Sequence, residues 1–333
     1  MIHLASCNSI KYVQENEEML KENLVLVNGE KSKDSDLNKY IVQKPNRRAL
    51  GMPISLYLYN FGKPDFEPTF EEWALNHRKK YTRYEKVFSK KQTYIIYRNK
   101  KGINNWFLTK GEAPVIYALA KGSRSANTLR DYYISQGFFE AQVVHDIDSI
   151  GEQEVRANYK ITTNEQYYID SVSTDIESVA LDSIYKEYRE GAFVKKGEPF
   201  VFDKFEQEES RLVTLFRNSG VYQFKNNSMG FWTDSIKESY KKSVLLKIPD
   251  RIVRKNDTVV KKPYKIQSVS RVNIYTDFSI KNRGRPLQDS VQYNGYHFYS
   301  YDKMKFAPKY LVNSLFITPK GIYKDSEKTQ TQN

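Results

Sequence analysis

Two stretches, LRDYYISQGFFEA at 129–141 and LVTLFRNSGVYQF at 212–224, align on Gly137 and Gly220, 83 positions apart. An internal repeat constrains architecture strongly, because each copy must then be the same supersecondary unit. Both copies run from an amphipathic segment through a polar pair to glycine, then to bulky residues. The physical reading is a helix end. Glycine turns left-handed without a Cβ penalty, so the helix stops there and the chain reverses. Gly137 and Gly220 are therefore assigned a structural role, and a β-branched residue at either is expected to cost about 1–2 kcal/mol.

The chain beyond each glycine is strand-like. After Gly137 come AQVVHDID, a turn at Ser149 to Gln153, and EVRANYKIT. In the last of these, Val155, Ala157, Tyr159 and Ile161 alternate with Arg156, Asn158, Lys160 and Thr162. That period of two marks a strand with one buried face. After Gly220 come NSMGFWTD, a turn near Lys237 to Ser239, and SVLLKIPD with Val244, Leu246 and Ile248 inward.

The segment before the second glycine supplies the rest of that unit. Residues 167–176 (YYIDSVSTDI) read as a strand, and Val179, Ile184, Tyr185 and Tyr188 lie near helical spacing. A second helix over about 203–219 is expected to start on Asp203 as N-cap, with Glu206 completing a capping box. Its apolar face is Leu212, Leu215 and Phe216. The order is strand, helix, helix, strand, strand. The first unit repeats it with a strand at 23–27, a short helix from Ser35 and a second helix over about 125–136, interrupted by an insertion. After a charged linker at 250–262, a strand at 264–275 opens a third unit. A polar excursion at 277–301 and a short helix at 308–316 then leave it without its second helix and final hairpin.

The 333 residues fit two or three domains at roughly 150 residues each. Hydrophobic residues make up 39%, but 26 of them are tyrosines, so the cores are expected to be small. No run approaches the ~18 apolar residues of a membrane helix. The single cysteine, Cys7, excludes an intramolecular disulfide framework and a Cys-based zinc site. The net charge is +13, of which residues 78–101 carry +9, with ten Lys/Arg against Glu85 alone. Such a patch seeks phosphate, in nucleic acid or on an anionic membrane; its bland alternative is the solvated face of a long helix. His3, His77, His145 and His297 are scattered without metal-ligand spacing, and no nucleophile elbow, P-loop or dinucleotide fingerprint occurs. No enzyme, no cofactor and no metal site is expected.

The helix–glycine–hairpin order resembles the polypeptide-transport-associated (POTRA) domain of BamA- and TamA-type outer-membrane assembly factors. KYIVQKPN at 39–46, GEAPVIY at 111–117, Phe306-Ala307-Pro308 followed by LFITPKGIY at 315–323, and Leu4-Ala5-Ser6-Cys7 bring the match to the TamA-like lipoprotein (TamL) branch. The resemblance implies an α+β fold of tandem domains, each a three-stranded mixed sheet with two helices on one face. Residues 1–20 would be a lipobox and tether, 21–165 a first domain with a basic insertion at about 46–110, 166–250 a second, and 262–333 an incomplete third. Family members continue into a β-barrel, so the chain reads either as an arm without its barrel or as an incomplete product, and with only six residues before Cys7 the start reads as clipped or mis-assigned.

The same resemblance places the hairpin's first strand at an open sheet edge, here 141–148 and 227–234. Ala141, Val143, His145, Ile147, Ser228, Phe231 and Thr233 become candidates for pairing with an extended client, since main-chain hydrogen bonds are indifferent to client sequence. The alternative is a solvated edge guarded by His145, Asp146 and Asp148. Cys7 would carry a lipid and hold the protein in the periplasm at the outer membrane; otherwise it is an ordinary thiol. Arg78, Lys79, Lys80, Arg83, Lys86, Lys90 and Lys91, interleaved with Trp73, Tyr81, Tyr84 and Phe88, would face an anionic membrane, with the rings at the interface. The function expected is a non-catalytic, monomeric periplasmic arm of an assembly machine. Its partners would be unfolded outer-membrane proteins or other subunits, with no nucleic acid. The competing class is a basic aromatic nucleic-acid-binding module, in which the same rings stack bases.

Overall fold

The computed structural model describes residues 9–234, 239–255 and 258–332; Cys7 with its preceding Leu4-Ala5-Ser6 lies outside them, as does most of the turn expected near Lys237. The chain forms two compact units, Met1–Ile134 with Glu140–Asn164, and Ser135–Phe139 with Glu165–Asn333.

The first unit comprises β1 (Met19–Val27), β2 (Glu30–Lys31), α1 (Ile54–Phe61), α2 (Phe70–Asn76), α3 (Arg78–Glu85), α4 (Lys90–Lys110), α5 (Leu119–Ser135, its last residue in the second unit), β3 (Gln142–Gly151) and β4 (Glu154–Thr162). Its sheet runs β2-β1-β4-β3, with β1 parallel to β4 and β3 antiparallel to it. Val155, Ala157, Tyr159 and Ile161 are buried, as their alternation requires, and Ala157, Tyr159 and Ile161 share a core with Leu20, Leu37, Ile41, Ala126 and Leu129. Asn158, expected on the wet face, is buried and donates to Asp146 at 2.8 Å. The short helix expected from Ser35 is a 3-10 turn, Ser35–Lys39, in which the Asp34 carboxylate accepts from the Asp36 N–H at 2.8 Å. Helix α5 begins at Leu119 rather than near Ser125.

The insertion is not one long solvated helix. Thr69 Oγ1 accepts from Glu72 N–H at 3.2 Å to start α2, and Ser89 with Gln92 forms a reciprocal capping box that starts α4. These caps break the segment, and α2, α3 and α4 close around Phe70, Trp73 and Tyr97.

In the second unit, β5 (Tyr168–Ile176), α6 (Val179–Tyr188), α7 (Phe202–Asn218), β6 (Gly230–Thr233) and β7 (Lys241–Ile248) keep the expected strand-helix-helix-strand-strand order. The sheet is mixed, β5-β7-β6, with β7 central. Leu246 and Ile248 pack against Leu181, Ile184 and Tyr185 of α6 and Leu212 and Phe216 of α7. Two expectations fail here. Val179 is 81% exposed and Tyr188 half so, because the inward stripe of α6 runs from Leu181 to Ile184 and Tyr185. Asp203 is not the N-cap. Val201 holds that position without a side-chain cap, and Asp203 sits inside the first turn, where its charge meets the helix dipole.

The expected charged linker is a hairpin, β8 (Arg251–Lys255) with β9 (Thr258–Lys262). Of the strand expected at 264–275, only β10 (Val272–Tyr275) forms. Tyr264 is buried in the core of the preceding sheet, and Gln267 and Val269 spend their backbone bonds on Gly220, Gly321 and Tyr323. The polar excursion contains β11 (Asp289–Tyr293) and β12 (Tyr296–Ser300), giving a third mixed sheet, β10-β12-β11. The third repeat expected from the sequence, which lies within the second compact unit, therefore does have a hairpin, contrary to expectation, although among the described residues no helix pair precedes it. Two short helices, α8 (Pro308–Leu311) and α9 (Asp325–Gln332), end the described chain.

Gly137 and Gly220 take φ of +88° and +96°. Each carbonyl accepts a backbone hydrogen bond at 2.9 Å, Gly137 from Tyr167 and Gly220 from Gln267. Both glycines are also closely packed. A Cβ on Gly137 would lie 2.7 Å from the Phe200 carbonyl oxygen, and one on Gly220 would lie 2.7 Å from Ile266 Cγ2.

Candidate functional site

Strand β3 pairs on one side with β4 and β6 on one side with β7; among the described residues no other strand pairs with either. An edge of this kind presents main-chain N–H and C=O groups outward. The opposite edges are occupied. Ser32 donates to Val25 O and Leu20 donates to Val115 O beside β1, while Ile169 of β5 exchanges bonds with residues 197 and 198 at 2.7 and 2.9 Å. The third sheet offers β11 in the same edge position, which sequence reasoning misses because the segment reads as irregular polar chain.

The candidate edge residues do not all lie on these strands. Ala141 precedes β3 and is buried, and Ser228 belongs to a 3-10 turn where its hydroxyl accepts from Lys225 N–H at 3.2 Å. Val143, His145 and Ile147 stand opposite Ile161, Tyr159 and Ala157, so their side chains share the helix-covered face. Phe231 likewise packs into the second unit's cores, and Thr233 is exposed at the end of β6. While Ile147 is exposed to a lesser degree and Thr233 at a strand end, the large apolar side chains most open to an arriving strand are Val144 and Trp232, both largely exposed. The period of two identifies them, since each neighbours a core residue.

His145 is not a guarding charge. Its ring stacks on Tyr117, with Nε2 3.2 Å from the Tyr117 hydroxyl, and burial pushes its pKa down. On the other face, Asp146 accepts from Lys160 Nζ at 2.6 Å and from Asn158, and these bonds hold its carboxyl below the usual range. Asp146 and Asp148 do share that face, opposite Asn158 and Arg156.

In the basic insertion the structure separates what the sequence interleaves. Trp73 is 5% exposed, lies parallel to Tyr84 at 6.1 Å and contacts Phe70, Tyr81 and Tyr97. Tyr81 and Tyr84 are half-buried against the same cluster. These rings build a small core, so neither base stacking nor an interfacial position is open to them together. Phe88 remains exposed. Arg78, Lys79, Lys80, Arg83, Lys86, Lys90 and Lys91 all reach solvent, and no ion pair joins them to a carboxylate among the described residues. Lys100 Nζ donates to the Tyr84 hydroxyl at 2.8 Å, which lowers the tyrosine's pKa.

Among the described residues no three His, Cys, Asp or Glu side chains are grouped to hold a metal ion, and no helix is long and apolar enough to cross a membrane.

No protein-family model matches the chain, and no curated protein does. Among solved structures, the chain is similar to POTRA domains 3–5 of Haemophilus influenzae BamA at 11% identity, covering 96% of this chain and 86% of that one, with a TM-score of 0.35. POTRA domains 1–3 of Omp85 from Anabaena match at 8% identity over 96% and 84% of the two chains, with a TM-score of 0.27. BamA from Haemophilus ducreyi lacking POTRA domains 1–3 matches at 16% identity over 44% of this chain and 26% of that one, with a TM-score of 0.29.

Proposed function

We propose that this chain is a non-catalytic periplasmic arm of an Omp85-type outer-membrane protein assembly machine, of the TamA-like lipoprotein kind, built of POTRA-like copies. It captures extended segments of unfolded outer-membrane proteins or of partner subunits by strand addition at β3 and β6. One observation carries the reading. In each of the three mixed sheets the last strand is central, the first strand runs parallel to it, and the hairpin's first strand lies at an edge. The motifs 39–46 and 111–117 support the same assignment, because they adjoin in the fold. Gln43 Nε2 donates to Ile116 O at 2.5 Å, and Asn46 bonds Ala113 and Val115. Attachment to the outer membrane through a lipid on Cys7 completes the proposal.

Strand addition exchanges main-chain bonds to water for bonds to a client, and its specificity comes from alternate side chains. A photo-crosslinking residue placed in turn at each position of β3 and β6 tests it against an unfolded outer-membrane protein. Crosslinks that alternate along the strand, strongest at Val144 and Trp232 and absent from β4 and β7, are expected. Uniform labelling across the surface, or none on either edge, would overturn the reading. For the anchor, mass analysis of the membrane-bound protein is expected to find Cys7 acylated; an unmodified thiol there would remove that part alone.

A further inference from the structure

Helix α4 carries six Lys/Arg (Lys90, Lys91, Arg98, Lys100, Lys101, Lys110) and no Asp or Glu over its 21 residues. One side of it is committed to the fold. Thr93, Tyr97 and Asn104 are buried, Phe107 meets Phe61 of α1 at 5.8 Å, and Tyr94 meets Phe70 of α2 edge-on at 5.5 Å. At 3.6 residues per turn the opposite side is the arc of Ile95, Ile103 and Trp106, which are 37%, 59% and 52% exposed. Exposed Lys91, Arg98 and Lys110 flank them. Trp106 beside two exposed isoleucines, on a helix without negative charge, forms an apolar stripe turned to solvent.

We propose that this outer face of α4 seats on an anionic lipid bilayer, with Trp106, Ile95 and Ile103 in the headgroup–acyl boundary and Lys91, Arg98 and Lys110 on headgroup phosphate. The inference is independent of strand addition and relocates the membrane contact from the rings of 73–88 to the far side of the next helix. Charge complementarity selects an anionic partner. The apolar stripe then selects a bilayer, because branched aliphatic side chains gain from hydrocarbon and offer neither stacking nor hydrogen bonds to a nucleic acid. The cations of α3, on the same insertion, add long-range attraction that decays within a Debye length.

Flotation of the full chain with phosphatidylcholine vesicles, with and without about a quarter phosphatidylglycerol, at low and high salt, tests this. Salt-sensitive binding to the anionic vesicles alone is expected. In a Trp232→Phe background, where buried Trp73 also emits, the part of the emission lost on adding Trp106→Phe is expected to shift blue on binding and to be quenched by brominated acyl chains. The pair Trp106→Ser and Ile103→Ser should weaken binding on the order of tenfold with an unchanged melting curve, and Trp106→Phe should retain most of it. Equal binding by the double variant, emission insensitive to brominated lipid, or preference for duplex DNA or an acidic polypeptide over the vesicles would overturn the proposal. The quenching arm uses intact α4, so it decides even where the double variant fails to fold.

Discussion

The side-chain oxygen of Asn46 accepts a hydrogen bond from the Val115 backbone N–H at 3.0 Å. Its amide nitrogen donates to Ala113 O at 2.7 Å, and the residue is buried. One side chain thus joins the two ends of the helical insertion. Asn46→Ala strands a donor and an acceptor that the backbone cannot otherwise satisfy, and should cost about 2 kcal/mol. Asn46→Asp keeps the bond from Val115 but sets a buried carboxylate oxygen against the Ala113 carbonyl, so at neutral pH its urea midpoint should fall at least as far as that of Asn46→Ala.

The two helix-end glycines should respond unequally to substitution. At each, a left-handed side chain costs about 1–2 kcal/mol before any crowding. An added Cβ meets the Phe200 carbonyl oxygen at 2.7 Å at Gly137, whereas at Gly220 its nearest neighbours are methyls of Ile266 and Ile322 and the first backbone atom, Gln267 N, is 3.2 Å away. Methyls yield by rotamer changes and a carbonyl does not. Thermal melts are expected to rank wild type above Gly220→Ala, and Gly220→Ala above Gly137→Ala.

His145 gives the first unit a pH dependence. Burial lowers its pKa in the folded state, while the neighbouring Asp146 opposes the shift and Tyr117 and Tyr159 pack on its ring. A folded pKa below the unfolded value means that the unfolded chain binds the proton first. The contribution is therefore complete above pH about 6.5 and is lost as pH falls through the lower folded value. Wild type should lose denaturant resistance between neutral pH and pH about 5, and His145→Gln should show a smaller loss over that interval.

Glu208 of α7 is buried, and its carboxylate accepts from Phe193 N–H at 2.8 Å and from Arg211 Nε and Nη2 at 2.9 and 2.7 Å. Removing the cation leaves a charge without compensation in the interior. Arg211→Ala should cost about 3 kcal/mol or more by chemical denaturation. The pair Glu208→Gln with Arg211→Met should cost less than Arg211→Ala alone, because no buried charge remains.

Where local chemistry decides the outcome, the sequence is legible. Gly137 and Gly220, the alternation from Val155 to Ile161, and the inward trio Val244, Leu246 and Ile248 all derive from backbone freedom and periodicity. Legibility ends where a residue's partner is distant in sequence. Tyr264 reads as a strand start but is held in the core of the preceding sheet, and Trp73 reads as an interfacial ring but closes a cluster with Tyr97. At the candidate edge, alternation separates Val144 from Val143, whereas the ring contact that turns His145 inward depends on Tyr117 of another segment. The breaks within the insertion were readable in principle, since Ser89 and Gln92 have capping-box spacing.

The bond from Tyr167 to Gly137 has a practical corollary for dissection. Residues 135–139 belong to the second compact unit, yet the polypeptide returns to the first for 140–164 before leaving it for good. The chain therefore passes between the two units three times, and no single scission liberates both intact. A fragment starting at Glu165 would lack the carbonyl on which Tyr167 is anchored. One starting at Ser135 would drag the orphaned hairpin of its neighbour with it.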